Sequence, residues 1–140
     1  MSIVITRTDD LEACMALRFT VFVDEQGVPA EIERDEYDAV ATHLLATIDG
    51  KPMGTARIVA KGDTGKIGRV CVLPAARGTG LGAALIRACL DEMADDPQIT
   101  QAMLGAQTSA IGFYEKLGFV PEGDEFDDAG IPHLMMRKTL

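Results

Sequence analysis

No apolar run in this chain approaches the roughly 20 residues that a membrane-spanning helix requires, so neither a transmembrane helix nor a membrane partner is expected. The first ten residues lack a basic stretch followed by an apolar core and a cleavage site, and no secretion signal is expected either. Cysteine is scarce: Cys14, Cys71 and Cys89 stand in apolar surroundings at no metal-like spacing, and no metal site is read from them. An odd thiol count without an export signal reads as reduced cysteine in the cytoplasm, each residue serving as a small core hydrophobe. Repeats, low-complexity tracts and linkers are absent, which leaves one domain over residues 1–140.

Basic residues are outnumbered, 13 Lys and Arg against 22 Asp and Glu, for a net charge of −9. The acid is concentrated: Asp24, Glu25, Glu31, Glu33, Asp35, Glu36 and Asp38 crowd one segment with only Arg34 to offset them, and Glu122 to Asp128 form a second cluster. Such a field repels phosphate backbones and argues against a nucleic-acid partner. It suits a cationic small molecule, or simply a solvated surface.

Patterning predicts a strand over 2–6 and a helix over about 9–23, opened by Asp9 with Glu12 three residues on as a capping box. Gly27-Val28-Pro29 ends that helix, and the acidic stretch beyond it reads as loop or short helix. Residues 41–48 and 53–60 flank Asp49-Gly50-Lys51-Pro52, a strong hairpin signal. Residues 66–73 add a strand. A helix over about 80–95 carries Leu85, Ile86, Cys89, Leu90 and Met93 on one face. A strand over 99–105, a helix over 108–117 stopped by Gly118, and strands near 119–126 and 133–139 complete the chain. The fold class is α/β or α+β: a mixed central sheet of about six to seven strands flanked by helices.

The stretch from Arg69 to Gly82 runs from strand through loop to helix, with Gly78, Gly80 and Gly82 at alternate positions. Glycines let backbone approach an anion, and a helix start offers free N–H groups and the positive end of its dipole. With the Arg77 side chain, residues Gly78, Thr79, Gly80, Leu81 and Gly82 read as a pyrophosphate cradle. A dinucleotide fold is excluded because the next strand ends in Leu104-Gly105-Ala106-Gln107, with no acid, and too few residues follow Gly82. A Walker loop is excluded by the absence of Gly-Lys-Ser/Thr.

Two motifs then carry a resemblance to the GNAT family of N-acetyltransferases. Arg77-x-x-Gly80-x-Gly82 resembles its coenzyme A signature, and Gln107 through Phe119, with Ala110, Tyr114, Lys116 and Gly118, resembles its second signature, Gln107 standing where Asn is usual. Leu17-Arg18, Val21 to Pro29 and Ile131-Pro132-His133 resemble the ElaA/YjcF-like subgroup. The resemblance spans nearly the whole chain. It implies acetyl-coenzyme A as cosubstrate, no metal, a small-molecule amine acceptor, and direct transfer in a ternary complex, with a homodimer compatible with the family.

The resemblance also implies roles. The pantetheine arm would pair with the backbone of Cys71 and Val72, and Gln107, Ala110 and Tyr114 would line its slot. Tyr114 would assist the departing thiolate. His133 would be the general base, since imidazole titrates close to neutral pH, with Glu25 or a water chain as the alternatives. Arg18, Glu25, His43 and Arg69 are the acceptor-pocket candidates. A covalent acetyl-Cys71 is disfavoured, as no histidine lies nearby in sequence to activate it. The rival class, a non-catalytic coenzyme A-binding sensor or regulatory module, would keep the glycine loop but need neither Tyr114 nor His133.

Overall fold

A computed structural model describes residues 2–140. Seven strands form one sheet in the order β1-β2-β3-β4-β5-β7-β6, where β1 is Ile3–Thr8, β2 Thr42–Ile48, β3 Lys51–Lys61, β4 Thr64–Val72, β5 Gln101–Gln107, β6 Val120–Asp128 and β7 Ile131–Thr139. All neighbours are antiparallel except β4 and β5, so the sheet is mixed, as expected. The β2–β3 hairpin closes on Asp49 and Gly50, whose φ of 51° and 82° match a tight primed turn. Lys51 and Pro52, read as loop from sequence, already belong to β3.

Helix α3 (Leu81–Ala94) packs one face of the sheet through Leu81, Leu85, Ile86, Cys89 and Met93, all buried against Leu44, Ala56, Ile58, Ile67 and Leu104. Each such side chain contributes about 1.5–3 kcal/mol of burial. The close approach requires Gly65, because a Cβ there would fall 2.2 Å from the Met93 sulfur.

The expected helix over 9–23 is corrected in two ways. Its regular part, α1, covers only Leu11–Arg18 and is capped by Asp10, whose carboxylate accepts the Ala13 N–H at 3.1 Å, rather than by Asp9. Thr8 Oγ1 holds the Asp10 N–H and so sets that start. From Phe19 to Glu25 the chain widens into π-helical turns, marked by the Gln26 N–H donating to Val21 O at 3.1 Å. Short helix α2 (Ala30–Glu33) and a 3-10 turn (Glu36–Ala39) follow. The expected helix 108–117 is a 3-10 turn, Thr108–Ala110, leading into the short α4, Ile111–Glu115.

The acidic segment is not a free field. Arg18, 1% exposed, bonds Glu33 Oε2 at 2.9 Å and Asp38 Oδ1 at 2.7 Å. Arg57 bonds Asp35 at 2.7 Å and Asp38 at 3.0 Å, and Arg69 bonds Glu33 at 2.9 Å and Asp35 at 3.2 Å. Three acids are thereby neutralised by three arginines, which ties the loop to β3 and β4. Burial works against the Asp38 carboxylate, but Arg18, the Asp35 N–H and Arg57 outweigh it and hold its pKa well below the usual carboxylate range. A depressed folded pKa contributes stability above the unfolded value, about 3.9, which is lost as pH falls through the folded one. The thermal midpoint is therefore expected to drop steeply below about pH 4. Asp38→Asn should lower the midpoint at neutral pH and flatten that acid drop. A drop as steep as wild type in thermal melts of Asp38→Asn would contradict the assignment.

Candidate active site

Strands β4 and β5 pair only from Thr64↔Gln101 to Ile67↔Leu104 and then part. Beyond that point β5 keeps its other partner, pairing with β7 as far as Gln107↔His133. The parting coincides with a bulge: Thr55↔Cys71 and Arg57↔Gly68 leave one extra residue on β4, and Arg69 sits in the left-handed region at φ 51°. A bulge bends its strand and breaks the alternation of side chains. Ile67 faces α3, whereas Cys71, four residues on, lies on the opposite face with Leu17 and Val21.

Through the gap runs a cavity of about 630 Å³. It brings together Glu25, Arg69, Cys71, Val72, Arg77, Gln107, Ala110, Tyr114 and His133 from the expected set. Arg18 and His43 are not on its wall. Arg18 is enclosed in the ion network, and the buried His43 donates Nε2–H to Asp38 O at 2.9 Å, so both brace the acidic loop from behind.

At the outer end lies the glycine loop. Gly78 and Gly80 have φ of 80° and 87°, and beyond the adjoining chain no protein atom lies within 4 Å of where a Cβ would stand on either. Gly80 begins α3 without any side-chain cap. Leu81 has a different environment from the other loop residues: its side chain is core, and its N–H is met by Thr79 Oγ1 at 3.3 Å. Thr79 itself donates to Ala76 O, bracing the loop. The next helical N–H groups, those of Gly82 and Ala83, have no intrahelical partner by helix geometry and form the dipole's positive end. The open glycines and uncapped helix start fit the phosphates of coenzyme A. Arg77 reaches across the mouth, its fork on Glu25 at 2.6 and 2.7 Å and its Nε on Val72 O at 3.1 Å. The pair is about two-fifths exposed, a setting in which ion pairs are worth little and a phosphate can replace the carboxylate. The Arg77 hydrogen bonds also lower the Glu25 pKa, which weakens it as a base.

At the gap, the Leu73 N–H donates to Met53 O. Antiparallel alternation therefore turns the Val72 N–H and C=O away from β3 and into the opening. Cys71 is 4% exposed, and burial pushes its thiol up to about 12. It is no nucleophile at neutral pH. Gln107 donates Nε2–H to Gln26 Oε1 at 3.1 Å. Tyr114 is held edge-on between Phe113 and Phe119, with ring centroids at 5.0 and 6.1 Å, and burial pushes its phenol up to about 12.

His133 stands on β7 beside Gln107, 9% exposed and stacked on Phe126 at 5.8 Å. Its Nδ1 lies 2.7 Å from Ile131 O. A carbonyl only accepts, so Nδ1 carries the proton and Nε2 is left with a free lone pair. His133 and Met135 line the cavity and Met136 enters the core, as strand alternation requires.

Sequence reasoning did not single out Gln26, Tyr37, Arg57, Lys61, Lys66 or Phe126, all of which line the cavity. Period-2 reading of β3 could have found two: Arg57 and Lys61 share the face opposite Ala56 and Ile58.

The model of the acetyltransferase (GNAT) domain matches residues 8–140. The N-acetyltransferase YjcF of Bacillus subtilis is 41% identical over 140 residues, covering 99% of each chain. An acyl-CoA N-acyltransferase from Pseudomonas aeruginosa superposes with a TM-score of 0.89 at 33% identity, covering 98% of this chain and 99% of that one. Escherichia coli ElaA superposes with a TM-score of 0.87 at 28% identity, covering 98% and 99%.

Proposed function

The chain belongs to the GNAT acetyltransferase family, in its ElaA/YjcF-like group, and from that premise we propose that it moves an acetyl group from acetyl-coenzyme A to the amine of a small acceptor. The observation that carries the reading is the cavity through the β4–β5 gap, with an anion-fitting loop outside it and His133 inside.

Acetyl-coenzyme A supplies an activated thioester when bound. The helix start and Arg77 would hold its phosphates, and the Val72 N–H its pantetheine arm. On the acceptor side, an ammonium cannot attack, and His133 Nε2 would take its proton, a role supported by the Nδ1 bond to Ile131 O that leaves Nε2 without a protein partner. Tyr114, protonated throughout the neutral range, offers a donor where the thiolate departs. Tyr114→Phe keeps the ring packing and removes only that donor. Its turnover at saturating substrates is expected to fall about 10-fold, the weight of one hydrogen bond, with the thermal midpoint unchanged. Wild-type turnover would remove the role. The reading as a whole is tested by free-thiol release from acetyl-coenzyme A across amines, amino acids and aminoglycosides.

A further inference from the structure

Strand β6 is exposed along nearly its whole length, and Phe126 is its one aromatic residue. An irregularity in the pairing sets the place of that ring. Glu122 pairs with Met135 and Phe126 with His133, so three β6 residues stand against Leu134 alone on β7, and Gly123 takes the bend at φ 74°. Even pairing would set Asp124, a carboxylate, opposite His133. The two extra residues put a phenyl ring there instead.

The ring lies across its neighbours. It stacks on His133 with centroids 5.8 Å apart and planes inclined by 28°. It also reaches β5, since a Cβ on Gly105 would stand 3.5 Å from Phe126 Cζ and 3.6 Å from Met135 Sδ. Gly105 pairs with Met135, and Gln107 with His133. Leu104, Ala106 and Met136 enter the core under α3, so Gly105, His133 and Met135 face the other way, with Phe126 against them. All four line the cavity, as does Ile131, and Phe126 is 37% exposed. The uncovered part of the ring, the Met135 thioether and the bare Gly105 backbone form an apolar shelf. It begins in contact with His133 and extends about 7 Å, the two-residue step to Met135 along β7.

The charged side chains of the cavity are placed differently. Glu33, Asp35, Arg57 and Arg69 bind one another where β3 and β4 meet the acidic segment. Asp128, near the tip of the β6–β7 hairpin, is the one carboxylate that these two strands give the lining.

We propose that this shelf is the acceptor subsite, and that the acceptor is an amine carried on an apolar, aromatic body within two or three bonds of the nitrogen. An amine at His133 Nε2 brings its carbon body onto Phe126, because that ring already touches the imidazole. Covering the exposed part of the ring favours apolar groups, and a flat ring gains most from the aromatic face and the neighbouring sulfur. The net charge of −9 favours the approach of the same molecule as an ammonium. The proposal rests on the acetyl-transfer reading above.

The test compares 2-phenylethylamine with ethanolamine and putrescine as acceptors. 2-Phenylethylamine is expected to show a kcat/KM at least about 10-fold above both. Phe126→Ala should abolish that preference and Phe126→Tyr should keep it. The ratio within one variant is read because any loss of His133 orientation slows every acceptor alike. Gly105→Val, whose added methyls meet the Phe126 ring and Met135, should lower the ratio from the β5 side. Coenzyme A affinity should hold in all three variants. A wild-type enzyme without the preference overturns the proposal. So does a preference that survives Phe126→Ala or, where that variant fails to fold, Gly105→Val. If no amine is acetylated, acetyl transfer fails separately, and calorimetry of 2-phenylethylamine with the protein, with and without coenzyme A, decides. Binding lost in Phe126→Ala supports the shelf; binding kept there, or absent in wild type, overturns it.

Discussion

Gly80→Val is expected to abolish coenzyme A binding, with a loss of at least about 100-fold in Kd, equivalent to about 2.7 kcal/mol. Two effects combine. Gly80 holds φ at 87°, where a β-branched residue is a genuine outlier. A left-handed residue costs roughly 1–2 kcal/mol, a few degrees of thermal midpoint for a chain of this size. The larger effect is expected at the ligand: the added side chain would enter the open space beside the loop, which the proposed phosphate site shares. Gly80→Ala should fall between wild type and Gly80→Val. Calorimetry on the folded variant is the check, and unchanged affinity would remove the loop from coenzyme A binding.

His133→Ala should lower turnover by about 10²–10⁴-fold, the range over which a positioned general base acts. Coenzyme A affinity should hold, because His133 lies on β7 across the cavity from the glycine loop. With the imidazole gone, the acidic limb of the pH–rate profile should disappear. The fixed Nδ1–H bond to Ile131 O and the stacking on Phe126 orient the ring. A merely packing histidine would lose stability on replacement and leave the limb in place. An unchanged profile, with any defect confined to KM, would reduce His133 to a binding residue. Glu25 is the poorer alternative, since Arg77 holds both its oxygens.

What was legible in sequence was local. The Asp49-Gly50 turn and the helix behind Gly80 each depend on residues within a few positions, and both stand as read. What was not legible depended on distant pairings. Arg18 resembled a pocket residue, yet its partners are Glu33 and Asp38, 15 and 20 positions away. The acids of that segment likewise looked solvated until Arg57 and Arg69 were brought to them by the sheet. The bulge at Arg69 left no mark in the sequence, because arginine has no preference for a positive φ. That one inserted residue decides which face Cys71 occupies and accompanies the opening of the gap. The π-helical turns after Arg18 were hidden for the same reason: they shift which side chains reach the cavity, without a helix-breaking residue to announce them.

The most direct measurement is the stoichiometry of transfer. Acetyl-coenzyme A labelled in the acetyl group is incubated with the protein and an amine, and free thiol and labelled amide are counted together. The proposed activity predicts one amide for each thiol released, with both abolished in Gly80→Val and both strongly slowed in His133→Ala. Tight coenzyme A binding with no thiol released for any amine would contradict it and identify a binding module in its place.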